Sequence, residues 1–199
     1  MFTGIIKNIG DITESTNSHI KIATKDSEIL KVGDGTSVSV DGACLTVKSI
    51  VNNEITFQIS RETIERTIIS NYSLGSFVNL ELPVKAKDYL SGHIVQGHID
   101  DICNLINVEE VGNKQWIYEF DMKNKKYLVD KGSITINGIS LTVVKPSKNS
   151  FKTYIIDETY KRTNFQYLEI GSQVNIEYDI LSKYLERLII DNWHWRNYK

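Results

Sequence analysis

The sequence predicts an all-β protein: two tandem closed antiparallel β-barrels with an α-helix at the C-terminal end. Repetition at a fixed offset is the first observation behind this. Val40-Asp41-Gly42-Ala43-Cys44-Leu45-Thr46-Val47 returns as Ile136-Asn137-Gly138-Ile139-Ser140-Leu141-Thr142-Val143, 96 positions later. At the same offset Glu62-Thr63-Ile64-Glu65-Arg66-Thr67 becomes Glu158-Thr159-Tyr160-Lys161-Arg162-Thr163, and Leu74-Gly75-Ser76-Phe77-Val78-Asn79-Leu80-Glu81 becomes Ile170-Gly171-Ser172-Gln173-Val174-Asn175-Ile176-Glu177. Three blocks sharing one spacing point to a tandem duplication. The second observation is that each repeat is a series of short runs rich in Ile, Val and Thr and separated by turn residues, which reads as strands.

In the first repeat the strands are expected at 3–8, 20–24, 36–40, 44–51 and 54–60. Asn17-Ser18, Gly33-Asp34-Gly35, Asp41-Gly42 and Asn52-Asn53 separate them. The pair Asp41-Gly42 suits a tight turn that tolerates positive φ, and Asn137-Gly138 repeats that chemistry. Many short strands in so small a unit remove their edges most economically by closing into a barrel. One short helix is expected per repeat, at 24–30, where Thr24 and Asp26 offer a start, and at 121–129. Beyond the second repeat, Leu181, Tyr184, Leu185, Leu188 and Trp193 fall near one face of a helix, with Lys183, Glu186, Arg187 and Asp191 elsewhere. No counterpart follows the first repeat, so this apolar stripe is expected to join protomers, the alternative being that it packs back onto its own barrel. The expected division is 1–92, 93–180 and 181–199.

A net charge of −2 argues against nucleic acid and anionic membranes as partners. No stretch has the length of a membrane span, and the first residues lack the pattern of a secretory leader. Cys44 and Cys103 stand alone with no C-x-x-C, which fits a reducing, cytoplasmic setting. His93 and His98 are too poorly spaced, and too far from other ligands, to form a metal site.

The stretch between the repeats, Gly92-His93-Ile94-Val95-Gln96-Gly97-His98-Ile99-Asp100, carries two of the four histidines. Together with Met1-Phe2-Thr3-Gly4-Ile5, Cys44-Leu45-Thr46-Val47 and Gly138-Ile139-Ser140-Leu141-Thr142-Val143 it resembles the riboflavin synthase family over nearly the whole chain. That resemblance implies two six-stranded Greek-key barrels that bind lumazine, a homotrimer built on the C-terminal helix, and association with lumazine synthase. It also implies dismutation of two 6,7-dimethyl-8-ribityllumazine molecules to riboflavin and 5-amino-6-(D-ribitylamino)uracil, with no cofactor and no metal.

The residue types suit that chemistry. Two identical heterocycles must be held together while one loses a methyl proton and the other accepts a nucleophile, so positioning and proton transfer are what a protein has to add. The candidate reacting residues are Phe2, Ser37, Cys44, His93, His98, Ser140 and Asp179; imidazole is the side chain matched to proton transfer near neutrality. Glu177 also closes the second barrel and offers a carboxylate to relay a proton. Backbone at Gly4-Ile5-Ile6 and Gly97-His98-Ile99 can pair with a pteridine edge. In the first repeat the binding surface is expected from Cys44, Leu45 and Thr46, with Gln58-Ile59-Ser60-Arg61-Glu62-Thr63. In the second it is expected from Ser140, Leu141 and Thr142, with Ile156-Asp157-Glu158-Thr159-Tyr160-Lys161; Lys131 reads as a solvated lysine from sequence alone, and the resemblance implies that it contacts the second ligand. The carboxylates and hydroxyls of the two trailing segments suit a ribityl chain.

Mismatches within the repeat, Cys44 against Ser140, Gly35 against Lys131 and Gln58 against Tyr154, predict unequal halves. The family resemblance implies that the productive site lies between the first barrel of one chain and the second of another. Ser91, Asp101, Cys103 and Asn137, and the missing proline before Glu158, depart from the family pattern. The rival readings are a non-catalytic optical protein that carries a lumazine or flavin, and a barrel module with no small ligand.

Overall fold

The computed structural model describes residues 1–122 and 126–197, with side chains described through residue 190. The first repeat forms β1 (Asn8–Ser15), β2 (His19–Ala23), β3 (Ser37–Val40), β4 (Ala43–Val51), β5 (Glu54–Gln58), the short helix α1 (Arg61–Arg66) and β6 (Phe77–Glu81). These strands close a barrel in the order β1-β2-β5-β4-β3-β6. Alternation does the sorting: along β4, Leu45 and Val47 are buried while Thr46 and Lys48 face out. Inside lie Ile12, Ile22, Val38, Leu45, Phe57 and Leu80, each stabilising the barrel by about 1.5–3 kcal/mol through burial.

The second repeat forms β7 (Asp101–Gly112), β8 (Gln115–Asp121), β9 (Ser133–Ile136), β10 (Ile139–Thr142), β11 (Ser150–Ile156), α2 (Asp157–Arg162) and β12 (Gln173–Tyr178). It is a six-stranded antiparallel sheet in the order β10-β9-β12-β7-β8-β11, and the expected closure fails at the seam between β10 and β11. The cause is local. Whereas β4 runs nine residues, β10 runs four. It is followed by Lys145, held at positive φ, and by Pro146, which has no N–H to give. Only the isolated bridge Val144 to Lys152 spans the seam among the described residues.

Three further expectations shift. The first strand begins at Asn8, where the expected one at 3–8 was to end, because Glu81 draws the backbone of Thr3 and Gly4 into a turn. At 24–30 there is only a single 3₁₀ turn, Ile29–Lys31. At 121–129, Asp121 ends β8 and Lys126 and Tyr127 form a turn, while 123–125 lie outside the described residues. The short helices fall instead at α1 and α2. Ser60 caps α1, its hydroxyl accepting from Thr63 N at 3.1 Å.

The two repeats dock about a pseudo-two-fold axis with reciprocal bonds. Asn79 Nδ2 donates to Asn137 O and Asn175 Nδ2 to Asp41 O, both at 2.8 Å. Asn164 N donates to Asn79 Oδ1 and Ile68 N to Asn175 Oδ1. Gly42 and Gly138 meet back to back: a Cβ on Gly42 would lie 2.8 Å from Gly138 N, so no larger residue fits.

One junction residue titrates unusually. Asp41 is buried; it accepts from Asn79 N, Asn164 Nδ2 and Tyr72 Oη, yet desolvation pushes its carboxyl up to about 7. The folded chain therefore holds a proton that the unfolded chain has already released above about pH 4. Stability falls as pH rises from there, by up to roughly 1.4 kcal/mol per unit, and the loss is complete above pH 7. The second repeat has Asn137 at the equivalent place. Asp41→Asn should accordingly remove this slope, which urea midpoints of variant and parent between about pH 5 and pH 8 will read; identical slopes would contradict the assignment.

Among the described residues no helix is long and apolar enough to cross a membrane. The C-terminal α3 (Ile180–Asn197) docks by its polar side: Lys183 Nζ pairs with Asp100 at 2.7 Å and Tyr127 Oη donates to Glu186 at 2.6 Å. Its apolar residues Leu181, Tyr184, Leu185, Leu188 and Ile189 are left 58–68% exposed. The side chains of Asp191 and Trp193 lie outside the described residues.

Candidate functional site

Two buried glutamates organise the candidate surfaces. Glu81, at the end of β6, accepts from Thr3 N, Thr3 Oγ1 and Gly4 N at 2.8, 2.8 and 3.0 Å. Glu177 on β12 does the same for Gln96 N, Gly97 N and His98 N, at 2.7, 2.9 and 3.1 Å. Burial raises both carboxyls above their ordinary range, and these donated N–H groups oppose the rise. Glu177, offered with Asp179 as a proton relay, is thus engaged by three backbone N–H groups. Glu81 escaped the sequence reading altogether. Its signal was present, because Asn79-Leu80-Glu81 and Asn175-Ile176-Glu177 keep the Asn and Glu in both copies.

The turns held by these carboxylates cross between repeats. Gly4 O accepts from Ser140 N of β10 at 2.8 Å, and Gly97 O accepts from Cys44 N of β4 at 2.9 Å. A Cβ would come within 2.6 Å of Ser140 at Gly4 and within 2.5 Å of Cys44 at Gly97, so both positions need glycine for the approach as well as for positive φ. Between the turns, the fully buried Phe2 and Val95 exchange backbone bonds at 2.7 and 3.1 Å. Each repeat therefore receives its candidate edge from the segment that leads into the other.

On the first surface, Thr46 is in register with Ser37 on β3 and with Gln58 on β5, which sets Ser37, Thr46 and Gln58 in one row outside the barrel. Cys44 is half-buried, two residues along the same face, beside Gly97. His98 is exposed on the segment bordering Cys44, with Ile99 half-buried next to it. Leu45 and Ile59 are core residues, so from this pair a ligand meets backbone rather than side chain. The row ends in α1, where Ser60 and Thr63 hydroxyls lie 2.9 Å apart, Arg61 is paired with Glu65, and Glu62 is exposed. His19, absent from the sequence reading, is in register with Gln58 and bonds Glu14 at 2.7 Å.

The second surface is different. His93 is 9% exposed, with Nδ1 2.7 Å from Ser140 Oγ and Nε2 3.0 Å from Thr135 Oγ1. Burial lowers its pKa, against the opposing charge of Asp179, so the imidazole is neutral at neutral pH. Asp179 itself starts α3, accepting from Leu181 N at 3.0 Å. Ile5 and Thr142 are exposed, Leu141 is half-buried, and Ile6 is part of the core. Lys131 stands where the first repeat has Gly35 and keeps the glycine-like φ of +63°, a strained setting for a lysine. Of the trailing segment, Asp157 and Lys161 pair at 2.6 Å, Glu158 pairs with Arg162, and Tyr160 stacks on Trp116 at 4.0 Å. Ile156 is exposed and Thr159 half-buried.

The structure thus joins His93 to Ser140 and Cys44 to Gly97, and assigns the two histidines to different surfaces. A cleft of about 610 Å³ opens elsewhere, beneath 82–91, lined by Thr3, Ile5, Lys7, Glu81, Lys87 and Tyr89; of the candidate binding residues it touches Ile5 alone. No cluster of metal-ligating side chains occurs among the described residues.

The family pattern of the lumazine binding domain matches the chain twice, at residues 3–83 and 96–179. A riboflavin synthase of Actinobacillus pleuropneumoniae is 38% identical over 194 residues, covering 96% of this chain and 90% of the relative. Among solved structures, LumP complexed with riboflavin superposes with a TM-score of 0.81 at 26% identity, covering 89% of this chain and 99% of LumP. LumP complexed with 6,7-dimethyl-8-(1'-D-ribityl) lumazine gives 0.79 at 28% identity, over 89% and 98%. Two reciprocal backbone cradles in one duplicated chain, matched by pattern and by full-length relatives, lead to one conclusion: the chain belongs to the riboflavin synthase family, with two lumazine-binding domains in tandem.

Proposed function

We propose that the chain converts two molecules of 6,7-dimethyl-8-ribityllumazine to riboflavin and 5-amino-6-(D-ribitylamino)uracil, one lumazine giving a four-carbon unit to the other. The atoms of the two substrates balance those of the two products, so no oxidant or reductant enters. The observation that carries this reading is the pair of equivalent cradles with unequal chemistry. Cys44 with the Ser37, Thr46 and Gln58 row lines one; Ser140 with a neutral, buried His93 lines the other. A donor that loses a proton and an acceptor that takes a nucleophile need such different surroundings.

In this reading the pteridine edges pair with backbone at Gly97-His98-Ile99 and Gly4-Ile5-Ile6, and the ribityl chains run toward Ser60-Thr63 and Asp157-Lys161. Domains at 1–92 and 93–180 each hold one ligand, and 181–199 assembles a homotrimer. One feature supports a site shared between chains: α3 leaves its apolar residues exposed on its own chain. Purified protein given the lumazine in the presence of a chelator should produce riboflavin, read by visible absorbance. A static complex with unchanged colour would favour a carrier, and rescue of turnover only by a divalent ion would defeat the metal-free reading.

A further inference from the structure

We infer that Thr135 is a positioning residue for the reaction, one that locks His93 in the tautomer carrying its proton on Nδ1 and so makes Ser140 present its hydroxyl hydrogen outward, toward the ligand. The inference rests on the proposed placement of a lumazine against Ser140.

The argument follows from counting donors and acceptors. Thr135 is 1% exposed on β9, and its hydroxyl has His93 Nε2, at 3.0 Å, as its partner among the described residues. A buried hydroxyl hydrogen without an acceptor costs about 1–3 kcal/mol, so Thr135 donates to Nε2. A ring nitrogen that accepts carries no proton. Neutral imidazole has one, which must then sit on Nδ1, and Nδ1 donates to Ser140 Oγ at 2.7 Å. Ser140 consequently accepts from His93 and keeps its own hydrogen for another group.

The charged ring is excluded by the same count. Imidazolium donates from both nitrogens, which would leave the buried Thr135 hydrogen unpaired; desolvation acts in the same direction. In this arrangement Ser140 does not surrender its proton to His93, and it stands as a hydrogen-bond donor beside the ligand rather than as a histidine-activated nucleophile. The backbone of His93 is fixed as well, its N donating to Thr3 O at 3.2 Å.

The first repeat supplies an internal control. Ser39 occupies the place of Thr135, in register with Cys44 as Thr135 is with Ser140. No histidine reaches it, and its hydroxyl oxygen is buried without a partner among the described residues. The hydroxyl at this position therefore has a hydrogen-bonding task in one repeat only, the repeat into which His93 projects.

Nitrogen-15 NMR of protein labelled at histidine separates protonated from unprotonated ring nitrogens directly. For the parent at neutral pH, His93 should show a protonated Nδ1 and an unprotonated Nε2. Thr135→Val removes the donor and should bring in the Nε2-protonated form, with kcat lower by roughly tenfold and KM little changed, while Thr135→Ser should restore both the spectrum and the rate. A parent His93 protonated on Nε2, or doubly protonated, overturns the inference, as does an unchanged tautomer in Thr135→Val. Should Thr135→Val fail to fold, the parent spectrum alone still decides. Ser140→Ala keeps the placement of the ligand separable: if lumazine binding and turnover survive it, that placement fails, whatever the tautomer.

Discussion

Replacing Glu177 with alanine is expected to destabilise the fold by about 3 kcal/mol or more and to abolish ligand binding on the first surface. The carboxylate is 1% exposed and accepts three backbone N–H groups in succession. Each donor left buried without an acceptor costs about 1–3 kcal/mol, less whatever water recovers by entering the gap. Loss of the turn releases Gly97 O from Cys44 N, so the edge a pteridine would meet no longer stands in place. Glu177→Gln should fall between, since an amide retains one accepting oxygen but turns a donor toward donors. The mirror change Glu81→Ala should act on the Ser140 surface instead. Urea unfolding together with lumazine titration of the four proteins checks this; a Glu177→Ala protein with parental midpoint and affinity would refute it.

Charging the outward stripe of α3 should cost turnover without costing the fold. In Leu185→Glu combined with Leu188→Glu, the contacts that hold the helix to its own sheet, Lys183 to Asp100 and Tyr127 to Glu186, are untouched. Two residues now 58–59% exposed become charged, which a monomer tolerates and an apolar contact between copies does not. If the productive pair of lumazines forms between chains, sedimentation should show a smaller species and kcat should drop by about a hundredfold or more, because each half-site loses the partner that brings the second reactant. Lumazine binding by the separated chains should persist. An unchanged assembly would remove the stripe as the contact between copies, and a monomer with full turnover would place both reactants within one chain.

The sequence carried the larger divisions of this molecule in its repetition, since the offset of 96 places every strand of one half against its partner in the other. What it hid was set by single contacts over long sequence distances. The segment 3–8 looks like a strand from its Ile content, and only Glu81, more than seventy residues away, turns it aside. The second barrel looks as complete as the first until Lys145 and Pro146 interrupt the seam. Of the candidate site, Gly4, Gly97 and His93 drew notice as glycines and a histidine in β-rich sequence, and Cys44 and Ser140 as a mismatch within a repeated block that also carries the family resemblance. Thr135 and Ser39 were not, because a hydroxyl on the strand face opposite the core reads as a solvent-facing residue until the other repeat is seen to cover it and, at Thr135, a histidine to reach it.

The crossing of segments about the pseudo-two-fold axis gives the chain the bonding of a dimer. Each half lends a turn to its neighbour and borrows one back, which is how identical subunits meet in an isologous interface. Two separate copies would have to share every residue, and any change on one side would appear on the other. Here a covalent connection through 82–100 makes the two sides independently mutable while the mutual loan of turns keeps them in register. Ser140 could then acquire a histidine, and Lys131 a place that glycine holds in the other half, without imposing either on the surface around Cys44.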